Sequence, residues 1–142
     1  MLTLTREELQ FDYLTTIGRT TADPGVLAIE ECSDRRIVAR VRFDESNIRP
    51  GGVISGPALF TAVDSMGYLV TLSRSPRGSN GFTSALAMQF LRPAPIGTLR
   101  VEGRLLKFSA RSSVVDTLIY CESVEEPVVH AVVTYVPVFP RT

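Results

Sequence analysis

The sequence predicts an α+β domain in which one long apolar helix covers an antiparallel sheet. Three observations carry this expectation. A 23-residue stretch, "GGVISGPALFTAVDSMGYLVTLS" (51–73), has the apolar circumference of a core helix and carries a single acid, Asp64. Four runs rich in Val, Ile, Leu, Thr and Phe follow it, separated by short Pro/Gly/Ser breaks. A sheet with one apolar face needs a partner layer, and this helix is the one segment long enough to supply it.

The elements are expected in order. "TREELQFDYLTTIG" opens the chain with a capping box at Thr5 and Glu8, and with Leu9, Tyr13 and Ile17 on one helical face. "VLAIEEC" and "RRIVARVRF" alternate apolar and polar residues across Ser33-Asp34, which suits a hairpin. After "DESNIRPGG" comes the long helix, with Ser55 as N-cap before Gly56 and Pro57. The runs "FTSALAMQFLRPA", "GTLRVEGRLLKFS", "RSSVVDTLIYCES" and "PVVHAVVTYVPVF" are strands. The breaks between them, at 95–97, 109–111 and 125–127, are short enough for hairpins.

Composition narrows the function. The chain has 142 residues, the size of one domain, so 1–142 is read as a single unit. Fifteen basic and fifteen acidic residues cancel, leaving neither a nucleic-acid footprint nor an acidic tail. No stretch approaches the roughly 20 apolar residues of a membrane span, and the first residues lack a basic segment followed by an apolar one. A soluble, cytoplasmic protein without a membrane partner is expected. Cys32 and Cys121 are isolated from each other and from His130, the one histidine, so two buried apolar thiols are expected, with no disulfide framework and no metal site. His130 is assigned to structure, because the spacing and signature of a Ser-His-Asp triad are absent.

On a period of 3.6 residues, Thr61, Asp64, Ser65, Tyr68 and Thr71 form a stripe, while Leu59, Phe60, Ala62, Val63, Met66, Leu69, Val70 and Leu72 are expected against the sheet. Two readings of the stripe fit: a solvated face with one surface acid, or a face covered by a second protein surface or a ligand. A solvated face normally carries several charges, and this one carries one. A partly desolvated carboxylate there would serve as general base or nucleophile.

The helix entrance has the complementary chemistry. Gly51, Gly52 and Gly56 permit close approach of a ligand, and a helix N-terminus offers unpaired N–H groups that can stabilise an oxyanion. A loop and cap without a ligand is the other reading. Gly56 and Asp64 are eight residues apart, about 12 Å along one helix axis, so one reacting carbon cannot touch both. Bringing them together requires Gly56 of one chain and Asp64 of another, with the helices antiparallel across a two-fold axis.

At this point the residues resemble the hot-dog-fold thioesterases, in particular the PaaI-like acyl-CoA thioesterases. The resemblance covers nearly the whole chain. "SGPALFTAVD" is similar to the family's His-Gly-Gly stretch followed by an Asp on the central helix, and "TSALAMQFLRPAPIGTL" to its Thr/Ser, apolar strand, Pro-Ala and Gly pattern. The resemblance implies a sheet wrapped around one helix, sites at the interface of a homodimer or a dimer-of-dimers tetramer, and hydrolysis of an acyl-CoA thioester without a cofactor. It implies Asp64 as the catalytic carboxylate, Gly56 as the N–H that binds the thioester oxygen, and Thr83 as a hydroxyl that positions water. Arg92, Lys107 and Arg111 follow strands where similar enzymes hold the phosphates of coenzyme A; a solvated charge is the alternative for each.

Two departures stand out. Ser55 replaces the family's common histidine. Asn47 lies eight residues before Ser55, where the family often has Asn six before its His; the ungapped match is Arg49. Asn47 is therefore a candidate contact to the water or thioester on looser grounds. The second functional reading, from the Ser55 change, is a non-catalytic acyl-CoA-binding hot-dog protein. A hot-dog dehydratase is disfavoured, since its His and acid pair is not visible.

Overall fold

The computed structural model describes residues 1–122 and 124–141. Helix α1 (Arg6–Ile17) is followed by strands β1 (Ala28–Ser33) and β2 (Arg36–Phe43), helix α2 (Gly56–Leu72), and strands β3 (Asn80–Phe90), β4 (Gly97–Phe108), β5 (Ser113–Cys121) and β6 (Val129–Val138). The six strands form one antiparallel sheet in the order β1-β2-β4-β5-β6-β3. This is the α+β, helix-in-sheet plan expected of a hot-dog fold.

Local chemistry sets the helix ends as the sequence suggests. Thr5 and Glu8 form a reciprocal capping box, and α1 stops at Gly18, whose φ of 65° an L side chain adopts at a cost. Leu9 and Tyr13 are buried, and Ile17 stays on their side of α1 but is partly exposed. At α2 the Ser55 hydroxyl accepts from the Ala58 N–H at 3.2 Å, and Pro57 occupies the first turn, where its missing N–H costs nothing.

Helix α2 crosses the inner face of the sheet, with Leu59, Val63, Met66, Leu69 and Val70 buried. Each contributes about 1.5–3 kcal/mol by removal from water. Two glycines set how closely the layers meet. A Cβ on Gly103 would lie 2.4 Å from Met66 Cγ, and one on Gly67 2.5 Å from Val133 Cγ1. Helix and sheet therefore touch at van der Waals distance where each glycine stands.

Four expectations are corrected. Strands β3 and β4 do not form a hairpin: β3 pairs with β6 at one edge, while β4 lies between β2 and β5. Pro93 and Pro95 keep the connector extended, Leu91 N–H donates to Val128 O at 2.8 Å, and Ala94 O accepts from Ile54 N–H at 2.8 Å, so the segment is held by loops on either side and not by a turn. The β4–β5 and β5–β6 hairpins and the β1–β2 hairpin form as expected. Phe60 is exposed instead of packed, since it stands four residues before Asp64 on the same side of α2. Thr71 is fully buried and ends the stripe, because the N-terminal segment crosses the last turn of α2, with Thr3 N–H donating to Ser73 O at 2.8 Å. Cys32 and Cys121 are half-buried at the margin of the core, not enclosed, and partial burial raises the pKa of both thiols.

Candidate active site

The acid of the long helix faces a cleft. Asp64 is half-buried and accepts the Thr83 hydroxyl hydrogen on Oδ1 at 2.5 Å, a short charge-assisted bond. Thr83 comes from β3, and its partner across the ladder is Tyr135 of β6. The cleft, about 380 Å³, is walled by Tyr13, Thr16 and Ile17 of α1, Ser65 and Tyr68 of α2, and Tyr135, with Gly81 and Phe82 of β3 at its edge. The Tyr68 ring meets Tyr135 edge-on at 6.2 Å and Tyr13 at 6.1 Å, both in the range of favourable aromatic contact.

Strand β3 makes this packing possible. A Cβ on Gly81 would sit 2.2 Å from Val136 O and 2.7 Å from Tyr135 Cε1. Burial pushes the Tyr135 phenol up to about 12, with charge repulsion from the Tyr68 phenol oxygen and the Asp64 carboxylate adding to the rise. Asp64 thus lies in a cleft rich in aromatic rings and hydroxyls, in which no other lining residue is charged.

A second cleft, about 360 Å³, lies at the start of α2 and is bordered by Gly56, Leu59, Val53, Ile54, Arg49, Phe90, Leu91 and Arg92. Gly56 and Asp64 therefore open into different clefts, in keeping with their separation along the helix. Packing does not demand glycine at 56. Its added Cβ would meet Phe90 Cζ at 3.4 Å, an ordinary contact, whereas Gly67, Gly81 and Gly103 admit none. The Phe90 ring stands beside the bare Cα at 56, on the border of the same cleft.

The remaining predicted residues fall in different places. Ser55 borders Gly56 and turns its oxygen back onto α2 as the N-cap. Arg92 borders the Gly56 cleft, with its guanidinium tied to Glu126 at 3.1 Å and to the Pro127 carbonyl. Asn47 borders neither cleft: its side chain accepts from Asp44 N–H at 3.1 Å, and its carbonyl accepts from Ser55 N–H at 2.7 Å, so it braces the loop that leads into the N-cap. Lys107 and Arg111 are exposed near the β4–β5 turn and line neither cleft. His130 is paired with Asp116 at 2.7 Å, away from both clefts. Among the described residues no group of three His, Cys, Asp or Glu side chains is placed to hold a metal, and no helix is long and apolar enough to cross a membrane.

Sequence reasoning did not bring Tyr135 or Tyr13 to a cleft, and reached Arg49 only as the ungapped match to the family's Asn. The alternation of β6 puts Tyr135 in phase with the buried Ala131 and Val133, so its inward face was legible, but its place beside Thr83 depends on the non-sequential β3–β6 pairing.

Comparison with known proteins identifies the family. The thioesterase superfamily model matches residues 51–128, which include both Gly56 and Asp64. A curated relative from Saccharolobus solfataricus, "Putative esterase SSO1253", is 36% identical over 83 residues, 57% of this chain and 53% of the relative, so the chain spans about half the length of the curated relative it matches. A crystal structure of a "putative thioesterase" from Silicibacter sp. TM1040 superposes with a TM-score of 0.83 at 27% identity, covering 99% of this chain and 95% of that one. A hypothetical thioesterase from Streptococcus pneumoniae TIGR4, solved with coenzyme A, has the same fold, with a TM-score of 0.72 at 23% identity over 82% of this chain and 92% of that one. With a family model covering more than half its length and the fold matched end to end, the chain belongs to the thioesterase superfamily.

Proposed function

We propose that residues 1–142 act as one domain of a cytoplasmic acyl-CoA thioesterase that hydrolyses a coenzyme A thioester to a carboxylic acid and free thiol. Its sites are shared between two protomers of a homodimer, alone or within a dimer-of-dimers. The observation that carries the reading is the Asp64–Thr83 pair in one cleft and the open helix N-terminus at Gly56 in another, on one helix. Coenzyme A bound to the related pneumococcal thioesterase supports the substrate class.

A second copy with α2 antiparallel places Gly56 of one protomer opposite Asp64 of its partner. The thioester oxygen then accepts from the Gly56 N–H, and the helix dipole supports the charge that develops there. The carbonyl carbon lies beside the partner's Asp64. With Oδ1 held by Thr83, Oδ2 is left to attack the carbonyl or to take the proton of an attacking water. In the base route the water oxygen forms the C–O bond as Oδ2 takes its proton, the tetrahedral oxyanion collapses with cleavage of the C–S bond, and the departing thiolate recovers that proton. In the nucleophilic route Oδ2 forms a mixed anhydride as the C–S bond breaks, and water then hydrolyses the anhydride, releasing the acid and a proton for the thiolate and restoring the Asp64 carboxylate. Arg92, already on the Gly56 cleft, and the more distant Arg111 are the candidate phosphate contacts.

The Ser55 change supports a second reading, an acyl-CoA-binding protein without turnover, because the Ser55 oxygen is engaged with Ala58 N–H and not with the cleft. Thiol release and calorimetric binding measured on the same set of aryl and aliphatic acyl-CoA esters separate the two. Turnover of at least one ester supports the enzyme; saturable binding with no thiol release leaves the binding protein.

A further inference from the structure

The Asp64 cleft holds one buried hydroxyl that nothing answers. Tyr135 is only 5% exposed and lines this cleft, so the small part of it left open looks into the space beside Asp64. The other ring hydroxyls are engaged: that of Tyr13 accepts from Leu27 N–H at 3.1 Å, and that of Tyr68 meets Thr16 Oγ1 at 3.4 Å. Thr83 is held by Asp64. The Tyr135 hydroxyl has no hydrogen-bond partner among the described residues, and unlike the unpartnered oxygens of Thr71, Ser113 and Thr117 it is not sealed in the core. Ser65 also lacks a partner, but it is only half-buried on its helix face, within reach of solvent.

The Tyr135 ring is fixed on several sides. Thr83 and Ser113 are its cross-strand partners, and the Tyr68 ring meets it edge-on at 6.2 Å. The bare Cα of Gly81 stands against it, since a Cβ there would lie 2.7 Å from Tyr135 Cε1. With its pKa raised to about 12, the phenol keeps its proton at neutral pH and is available as a donor. A buried donor without an acceptor is costly, and a ligand that brings one removes that cost. Asp64 is the one charged residue lining the cleft, so an anionic group there would meet repulsion, whereas a neutral oxygen would not.

We propose that Tyr135 is a specificity-determining residue whose hydroxyl donates a hydrogen bond to a neutral keto, hydroxyl or ether oxygen on the acyl group. This rests on the reading that the thioester carbonyl carbon is placed beside Asp64. The acyl group then lies in the cleft against Ile17, Phe82 and the tyrosine rings, with its oxygen toward Tyr135. That oxygen sits a few bonds from the carbonyl, because Tyr135 is the ladder partner of Thr83, the residue bonded to Asp64. The favoured substrates are oxygen-bearing acyl groups, over the plain hydrocarbon of equal length and over acyl groups that carry a second carboxylate.

The test compares wild type and Tyr135→Phe on hexanoyl-CoA, 3-oxohexanoyl-CoA and 5-oxohexanoyl-CoA. Thiol release gives kcat/KM, calorimetry in the Asp64→Asn background gives Kd, and thermal melting verifies that each variant is folded. The expected result is that one oxo ester leads hexanoyl-CoA in the wild type, and that Tyr135→Phe cuts this lead by about 5- to 10-fold in both kcat/KM and Kd. No lead for either oxo ester in the wild type would overturn the proposal, as would a lead that survives in Tyr135→Phe. An equal fall in kcat on all three esters would also overturn it, and would tie the phenol to the reaction centre common to them. Absence of thiol release by the wild type on any ester would overturn the hydrolase reading alone, and the ratio of Kd values would then decide the proposal by the same criterion.

Discussion

Thr83 donates its hydroxyl hydrogen to Oδ1 of Asp64 at 2.5 Å, across the junction between the edge strand and the central helix. The bond engages one carboxylate oxygen and leaves the other, Oδ2, for the role proposed for it. Asp64→Asn keeps the shape and removes the basic oxygen, so turnover should fall by at least about 10²-fold with the fold retained. Thr83→Val, which keeps the β-branch, should lower kcat by a smaller factor and leave KM nearly unchanged. Steady-state thiol release checks both, and wild-type turnover in Asp64→Asn would remove the carboxylate from the mechanism.

Two glycines of one helix should respond oppositely to the same change. Gly67→Ala drives a methyl into Val133 and should destabilise the fold by about 1–3 kcal/mol, as overpacking does. Gly56→Ala meets only ordinary contact with Phe90, so stability should hold while the methyl enters the cleft and lowers kcat/KM. Urea unfolding beside thiol release separates these outcomes; equal loss of stability in both would mean that Gly56 is there for packing.

Ser55→Ala removes the oxygen that accepts from Ala58 N–H and should cost about 1 kcal/mol of stability. Turnover should change only modestly, because the proposed mechanism gives the oxyanion to the backbone N–H at 56. A loss of activity as large as that of Asp64→Asn, in a folded protein, would instead place the Ser55 hydroxyl in the chemistry.

The high pKa of the Tyr135 phenol has a consequence at alkaline pH. Its folded value, about 12, lies above the ordinary tyrosine value of 10, so the folded state keeps this proton where the unfolded chain loses it. The associated stability is complete below pH about 10 and is lost as pH rises toward 12. Tyr135→Phe should therefore lose less stability than wild type between those limits in urea titrations. Parallel pH profiles would show that Tyr135 is not the group responsible.

How far the sequence reached depends on whether a feature is local. Thr5, Glu8, Ser55 and Pro57 act within one helical turn, and each cap forms as its spacing suggests. The period of α2 placed Asp64 on a face with Ser65 and Tyr68, and all three line one cleft. What failed was non-local. Short breaks made β3–β4 look like a hairpin, yet β3 lies at the far edge, and only that placement brings Thr83 beside Tyr135. Phe60 and Thr71 exchange their expected exposure because periodicity cannot show where the N-terminal segment crosses the helix or where the sheet stops covering it. Arg49 carried no signal beyond a register mismatch with the family, and its place on the Gly56 cleft follows from the double-glycine turn.

The shared site is tested most directly by complementation in mixed dimers. One chain carries Asp64→Asn and the other Gly56→Leu, each expected to be inactive with copies of itself, and the heterodimer is purified through two different affinity tags. The cross-protomer account predicts one intact site per dimer and thiol release near half that of wild type. No recovery in a verified heterodimer would contradict it.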